Sequence, residues 1–224
     1  MNRKLGLQSK WRYVVDSLNS IVSSYEKASS RISLFMDRRM REMVLSDVRS
    51  GMFILDMGSG PGTLSKLVAK KRANSVLLDI SRNMLSVSGF EDRVQGTFEH
   101  MPFRDKAFDG VLSAFAFRDA YDTIKTLSEV KRVLKGNGFF SFCDLGKPDS
   151  TLSMLAVAIY IRIFPALIGM LSQGKKGLSY GSLFPTYVLL PRNSSLERIL
   201  GLFFKSVKME EMMMGGAVIF RCKL

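Results

Sequence analysis

The 224-residue sequence predicts an α/β fold: a mostly parallel, doubly wound sheet with helices on both faces. Two apolar runs that each end in an acid carry that prediction, together with the alternation that follows them. The first, Phe53-Ile54-Leu55-Asp56-Met57, runs into Gly58-Ser59-Gly60-Pro61-Gly62 and a helix-like segment from Thr63 to Arg72. That is the pattern of a buried strand turning sharply into a helix. The second, Ser75-Val76-Leu77-Leu78-Asp79-Ile80, reads as the next buried strand. Beyond it, Phe108 to Ala116 is strand-like, and Ala120 to Leu134 has helical spacing at Ile124, Leu127, Val130, Val133 and Leu134. Gly136-Asn137-Gly138 forms a turn into a strand from Phe139 to Leu145. Phe203 to Met209 and Ala217 to Cys222 close the chain as two strands joined through Gly215-Gly216, an antiparallel finish.

The loop after the first strand is built for a ligand. Glycines let the backbone bend there and let a bound molecule lie against the main chain. The dinucleotide fingerprint is G-x-G-x-x-G, whereas position 63 is Thr. Asp56 ahead of G-x-G-x-G instead resembles the first motif of S-adenosylmethionine-dependent methyltransferases. A tight strand-to-helix turn with no ligand is the plainer alternative. Asp79 follows the loop by about 20 residues, the spacing at which a ribose-binding carboxylate is expected. Its two oxygens suit the 2′ and 3′ hydroxyls and would repel a 2′-phosphate, which disfavours NADP. The competing reading has Asp79 capping a helix that starts near Arg82. With both acids and the loop in register, nucleoside binding ranks above it.

Composition fits one catalytic domain, since 46% apolar residues can fill a sizeable core. Four parts are expected: an N-terminal helical cap (1–50), a cofactor-binding core (51–149), an apolar lid (150–191), and a C-terminal helix with strands (192–224). Cys143 and Cys222 lack metal-ligand spacing, so neither a zinc site nor a disulfide framework is indicated. Cys143 sits in an apolar run and reads as a small core residue. The basic start is not followed by an uninterrupted apolar stretch, so a cytoplasmic location is expected.

The formal charge of +13 is unevenly spread. Residues 1–50 hold ten basic and five acidic side chains, and residues 145–224 hold ten and four. Residues 51–144 hold thirteen and eleven, so the core is nearly balanced and the excess lies on its flanks. Such flanks suit an anionic surface, a membrane leaflet or nucleic acid; a merely soluble basic protein is the plain alternative. Leu152 to Leu171 is apolar and near the ~20 residues that span a bilayer. Arg162 and Pro165 interrupt it, and a central Arg costs roughly 2.5–3.5 kcal/mol on insertion. Two short helices hinged near Pro165 are therefore expected, roofing a pocket, touching a membrane or simply packing on the sheet.

Three further runs carry a family resemblance: Met101-Pro102-Phe103-Arg104-Asp105-Lys106-Ala107-Phe108-Asp109, Phe115-Ala116-Phe117-Arg118-Asp119-Ala120-Tyr121-Asp122, and Arg132-Val133-Leu134-Lys135-Gly136-Asn137-Gly138. With the Tyr25-Glu26-Lys27-Ala28-Ser29-Ser30-Arg31-Ile32-Ser33 run, they resemble successive motifs of the ubiquinone/menaquinone biosynthesis C-methyltransferase family (UbiE type) over nearly the whole chain. The tail around Tyr180, Pro191, Gly215 and Gly216 is also similar. The F-x-x-R-[ND] context of Arg118 and the Tyr25 run are the more diagnostic pieces. The resemblance implies a Rossmann-like class I methyltransferase sheet with N-terminal helices and a lid inserted after the fifth strand. It implies S-adenosyl-L-methionine as cofactor, contacted by Asp56, Gly58, Ser59, Gly60, Gly62, Asp79, Ile80, Thr97 and Phe98. Departures from the pattern include Thr97-Phe98 for an acid or Asn followed by Ala, Glu26 for Asp, Ser29 for Asn, Asp37 for His and Met40 for Trp. Asp119 stands for Asn, Gly136-Asn137 for Pro-Gly and Asp144 for Glu.

Methylating a ring carbon needs an electron-rich phenolate or hydroquinone anion, its oxygen charge stabilised and its protons accepted. The resemblance gives these tasks to Arg118 as a permanent cation, Asp119 as its orienter or a base, and Tyr25 as a partner of the ring oxygen. The plainer reading of Arg118–Asp119 is a surface ion pair or a helix cap. His100, the sole histidine, reads as a loop residue. The expected substrate is a lipophilic aromatic or quinol, methylated at the cytoplasmic face with peripheral contact to an anionic membrane; a homodimer is admitted. Nucleic acid ranks below lipid, because Ala114-Phe115-Ala116-Phe117 is not [DN]-P-P-[YF] and no Pro-Cys pair offers a nucleophile. Methylation of another lipid or small aromatic, and a non-catalytic cofactor-binding subunit, stay open.

Overall fold

Seven strands form one sheet in the order β3-β2-β1-β4-β5-β7-β6. The computed structural model describes residues 30, 31, 33, 35–173 and 183–224. Tyr25 and Tyr180 therefore lie outside the described residues. Helix α1 (Asp37–Val44) precedes β1 (Phe53–Met57), α2 (Thr63–Lys70), β2 (Asn74–Asp79), α3 (Arg82–Ser86), β3 (Arg93–Gln95) and β4 (Phe108–Ala114). Then come α4 (Thr123–Val133), β5 (Leu134–Leu145), α5 (Thr151–Gln173), α6 (Leu183–Leu189), α7 (Asn193–Gly201), β6 (Ser206–Met212) and β7 (Ala217–Lys223). Strands β1 to β5 pair in parallel, and β7 runs antiparallel to both β5 and β6.

Alternation along the strands splits the core in two. Leu55, Val111, Phe140, Phe142 and Phe220 face α4 and α7, meeting Leu127, Val130 and Leu200. Ile54, Leu112, Cys143 and Ile219 face the other way, toward Met40 and Val44 of α1 and Leu64 and Val68 of α2. Both faces are covered, so the central strands read as continuous apolar runs rather than alternating ones. Cys143 is thus a core residue, as expected.

Several boundaries differ from the sequence reading, each for a local reason. Strand β4 stops at Ala114 because Phe115 has a φ of 61° and turns the chain. Helix α4 starts at Thr123, not Ala120. The Glu99 carboxylate accepts the Tyr121 and Asp122 N–H groups, and Asp122 then caps the helix by accepting from Lys125 N at 3.0 Å. Strand β5 begins at Leu134 and passes through Gly136-Asn137-Gly138 as an irregularity: Phe108 pairs with Leu134 and Gly110 with Phe139. Strand β6 begins at Ser206 rather than Phe203. The expected pair of helices around Pro165 is one continuous helix, α5, with the proline inside it. Proline removes only the bond that Ile161 C=O would accept, whereas a break in an apolar run would strip partners from several backbone groups.

Candidate active site

Asp56, Asp79, Ala114 and Asp144 all stand at the C-terminal end of parallel strands, the edge where a doubly wound sheet accepts ligands. The loop leaving β1 has three residues with positive φ, Gly58 (74°), Gly60 (53°) and Gly62 (79°). Two of these differ in what surrounds them. A Cβ on Gly58 would lie 2.3 Å from Ala116 Cβ and 3.0 Å from the Phe98 ring, whereas one on Gly60 would meet nothing within 4 Å. The loop is packed at its base and open at its tip, where a ligand can lie on the main chain.

Two carboxylates hold this loop from opposite sides. Asp56 is 1% exposed; its Oδ2 accepts from Ser65 N (3.1 Å) and Ser65 Oγ (2.7 Å), while Oδ1 has no partner. Asp79 Oδ2 accepts from Gly60 N at 2.8 Å and Oδ1 from Ser81 N at 2.8 Å. A carboxylate oxygen can accept more than one bond, so Asp79 keeps capacity for the two ribose hydroxyls. It is not the cap of α3; Ser81 is, accepting from Met84 N. Burial pushes the Asp56 carboxyl up to about 7, offset in part by the Ser65 bonds. Nearby Asp79 adds to the rise and Arg41 opposes it. Burial also raises Asp79.

A cleft beside the loop is lined by Arg41, Asp56, Gly58, Ser59, Gly60, Pro61, Thr63, Leu64 and Ala114. Asp79 joins it through Gly60, and Phe98 through the base of Gly58. Phe98 meets the loop through its ring. Thr97 and His100 form an isolated bridge that closes the turn carrying Phe98, and the Ile80 carbonyl accepts from Gln95 Nε2. His100 is an exposed loop residue beside Lys125.

Arg41 is the residue that the motif reading passed over. It is buried in α1, pairs with Asp37 at 2.7 Å, and lays its guanidinium over the Phe115 ring, 4.9 Å from the centroid. The i,i+4 Asp37–Arg41 spacing was the available sequence signal.

Arg118 also meets Phe115, at its carbonyl rather than its ring. Its Nη1 donates to the Phe115 carbonyl and, at 2.6 Å, to Asp144 Oδ1, while its backbone N donates to Asp144 Oδ2 at 2.9 Å. Asp119 lies 3.9 Å from Nη2. The orienting carboxylate is therefore chiefly Asp144, 3% exposed, with Asp119 the more open at 22%. At 11% exposure Arg118 is not a surface ion pair. Two guanidiniums thus flank one strained residue at the end of β4.

The strand order, the glycine loop and the acid placed for a ribose define a class I S-adenosylmethionine-dependent methyltransferase. Residues 55–142 match the methyltransferase-domain family. An S-adenosylmethionine-dependent methyltransferase of Thermotoga maritima shares the fold, with a TM-score of 0.68 at 15% identity over 93% of this chain and 98% of that one. Another from Aquifex aeolicus aligns at 0.56 and 16%, covering 87% and 92%. The chain is a methyltransferase of this class, and its sequence is similar to those of ubiquinone/menaquinone C-methyltransferases. It is 29% identical over 186 residues to a demethylmenaquinone methyltransferase of Clavibacter sepedonicus, covering 78% of this chain and 75% of that one. With the ubiquinone/menaquinone biosynthesis C-methyltransferase of Geotalea uraniireducens it shares 24% over 231 residues, covering 96% and 97%.

The residues present fit S-adenosylmethionine. The partnerless buried atoms Asp56 Oδ1 and Ser59 Oγ, the open backbone at Gly60 and the spare acceptors of Asp79 offer hydrogen bonds that a nucleoside-linked amino acid can use. Asp79 would hold the ribose, and Arg41 the methionyl carboxylate, the complementary charge among the cleft-lining side chains.

Proposed function

We propose that the enzyme methylates a ring carbon of a polyprenyl quinol precursor of the demethylmenaquinol kind, in the cytoplasm at the membrane face. The names of its relatives support a quinone-type substrate. The observation that carries the reading is the fixed Arg118, four residues beyond the cleft-lining Ala114, anchored on both Asp144 and the Phe115 carbonyl.

When bound, S-adenosylmethionine supplies a methyl cation equivalent. Arg118 donates to the ring oxygen and lowers the energy of its negative charge, at no cost of reorientation because Asp144 already holds the guanidinium. Asp119, the more open carboxylate, takes the proton that the ring carbon loses once the new C–C bond has formed. The family resemblance alone assigns Tyr25 to the ring oxygen. Holding the ring carbon in line with the methyl group contributes several kcal/mol, roughly 7–11 in the best cases.

Arg118→Leu tests this role. S-adenosylhomocysteine affinity should be unchanged by calorimetry, and turnover on a demethylquinol should drop by roughly 10²–10³. Arg118→Lys should restore part of it, since an ammonium cannot reproduce the planar fork. A leucine variant with near wild-type turnover would leave Arg118 a purely structural ion pair.

A further inference from the structure

Helix α5 leaves one apolar face without a partner. Leu152, Leu155, Ile159, Ile163, Leu167 and Met170 follow one another at intervals of three or four residues and so share a face. All are exposed, from 41% at Leu167 to 76% at Leu152. The opposite face is packed: Val157 and Ile161 are buried against Tyr187 of α6, and Val157 also touches Gly216. On α6, Val188 and Leu189 add further exposed apolar surface, at 51% and 62%. Scattered exposed leucines are ordinary, but a stripe running the length of a helix marks a docking surface.

Charge decides what docks there. Residues 150–192 contain Arg162, Lys175, Lys176 and Arg192 and not one Asp or Glu. The Arg162 guanidinium is held over the Phe184 ring, 5.1 Å from its centroid, at the flank of the stripe. A second copy of the same face would bring Arg162 against another Arg162, with no Asp or Glu between 150 and 192 to answer either. RNA would answer the cations but gain nothing from six exposed aliphatic side chains. An anionic lipid leaflet answers both.

Resting on the lipophilic-substrate reading above, we infer that α5 is a monotopic membrane anchor. It lies flat in the interface with Leu155, Ile159 and Ile163 among the acyl chains, while Arg162 at the flank of the stripe meets anionic headgroups. It does not span the bilayer, although its 20-residue window is apolar enough, with a mean hydropathy of 2.0. Spanning would strip Val157 and Ile161 from their packing and carry Arg162 through the hydrocarbon. An anchor of this kind places the C-terminal edge of the sheet next to the layer in which a polyprenyl quinol dissolves.

The test uses the full chain and sedimentation with phosphatidylcholine vesicles, with and without phosphatidylglycerol, across a salt series. Wild type should bind the anionic vesicles, weaken as salt rises and keep a salt-resistant fraction. Leu155→Asn/Ile159→Asn/Ile163→Asn should lose that fraction, weakening binding at high salt by at least about tenfold. Its affinity for S-adenosylhomocysteine and its turnover on a soluble, short-chain demethylquinol should stay at wild-type levels, which shows that it is folded. Ile159→Trp should shift its emission to the blue on vesicles and be quenched by lipids brominated near the headgroup. Wild type that ignores anionic vesicles, or a triple variant that binds as wild type does, overturns the anchor. So does a wild-type dimer in ultracentrifugation that the triple variant dissolves, which would assign the face to a second copy. Vesicle binding without methylation of any quinol would leave the anchor standing and remove the quinol reading instead.

Discussion

Arg41 and Asp56 show how far single residues set the chemistry of the cleft. If Arg41 takes the methionyl carboxylate, its effect should depend on whether the ligand has one. Arg41→Leu should weaken S-adenosylhomocysteine by a charge-assisted hydrogen bond, about 1.5–3 kcal/mol. It should leave 5′-methylthioadenosine, which lacks the carboxylate, unchanged by calorimetry. Equal weakening of both ligands would mean that Arg41 acts only by propping Phe115. Asp56 makes a prediction in pH. Its carboxyl is raised from 3.8 to about 7 in the folded chain, so the native state keeps a proton that the unfolded chain releases. Native protein then binds more protons between those two values, and stability falls as pH rises through that window. The cost above it is about 4 kcal/mol, from a shift of about three units. Asp56→Asn should remove its share of the loss seen by urea denaturation between about pH 4 and about pH 7, while Asp79, raised in the same direction, is untouched by the substitution. A positively charged ligand favours the ionised acid, so S-adenosylmethionine should bind more tightly, with release of protons, as pH rises through about 7. An Asn variant with the wild-type pH dependence would show that Asp56 does not titrate there.

The glycine loop makes an equally specific prediction among the elements. Gly58 and Gly60 both have positive φ, yet only Gly58 is crowded, its missing Cβ falling 2.3 Å from Ala116 Cβ. Gly60→Ala should cost about 1–2 kcal/mol for the left-handed conformation alone. Gly58→Ala should add roughly 1–3 kcal/mol of overpacking. Equal midpoints in urea for the two variants would contradict this packing. Strands β1 and β2 were legible because each is an apolar run closed by an acid. The start of α4 was not, because the Glu99 carboxylate that arrests Tyr121 and Asp122 comes from more than twenty residues upstream. The hinge expected at Pro165 failed for a related reason. Propensity counts one lost hydrogen bond, while the whole apolar helix around it has no better place to put its backbone.

At the scale of the molecule, the strand order 3-2-1-4-5-7-6 could not be counted off the chain, but it was implied once Arg118 and the glycine loop were read together as a family pattern. The cofactor side of the cleft was likewise legible, because Asp56, Gly58, Gly60 and Asp79 are adjacent to strand ends that sequence marks clearly. Arg41, Phe115 and Asp144 were less so: α1, β4 and β5 meet only through the folded sheet, and no short spacing records the Arg41–Phe115 and Arg118–Asp144 contacts. That convergence fixes two guanidiniums against Phe115, Arg41, which lines the cleft and suits a cofactor carboxylate, and Arg118, which suits a ring oxygenate. On the proposed reading, a methyl group delivered at this cleft passes to a ring carbon. The decisive measurement is incubation with methyl-labelled S-adenosylmethionine and a short-chain demethylquinol in parallel with RNA, followed by NMR of the labelled product. Quinol C-methylation predicts label in a methyl group bonded to a ring carbon and none in RNA. Label on oxygen, label in RNA, or no transfer to the quinol by protein that binds S-adenosylhomocysteine would contradict it.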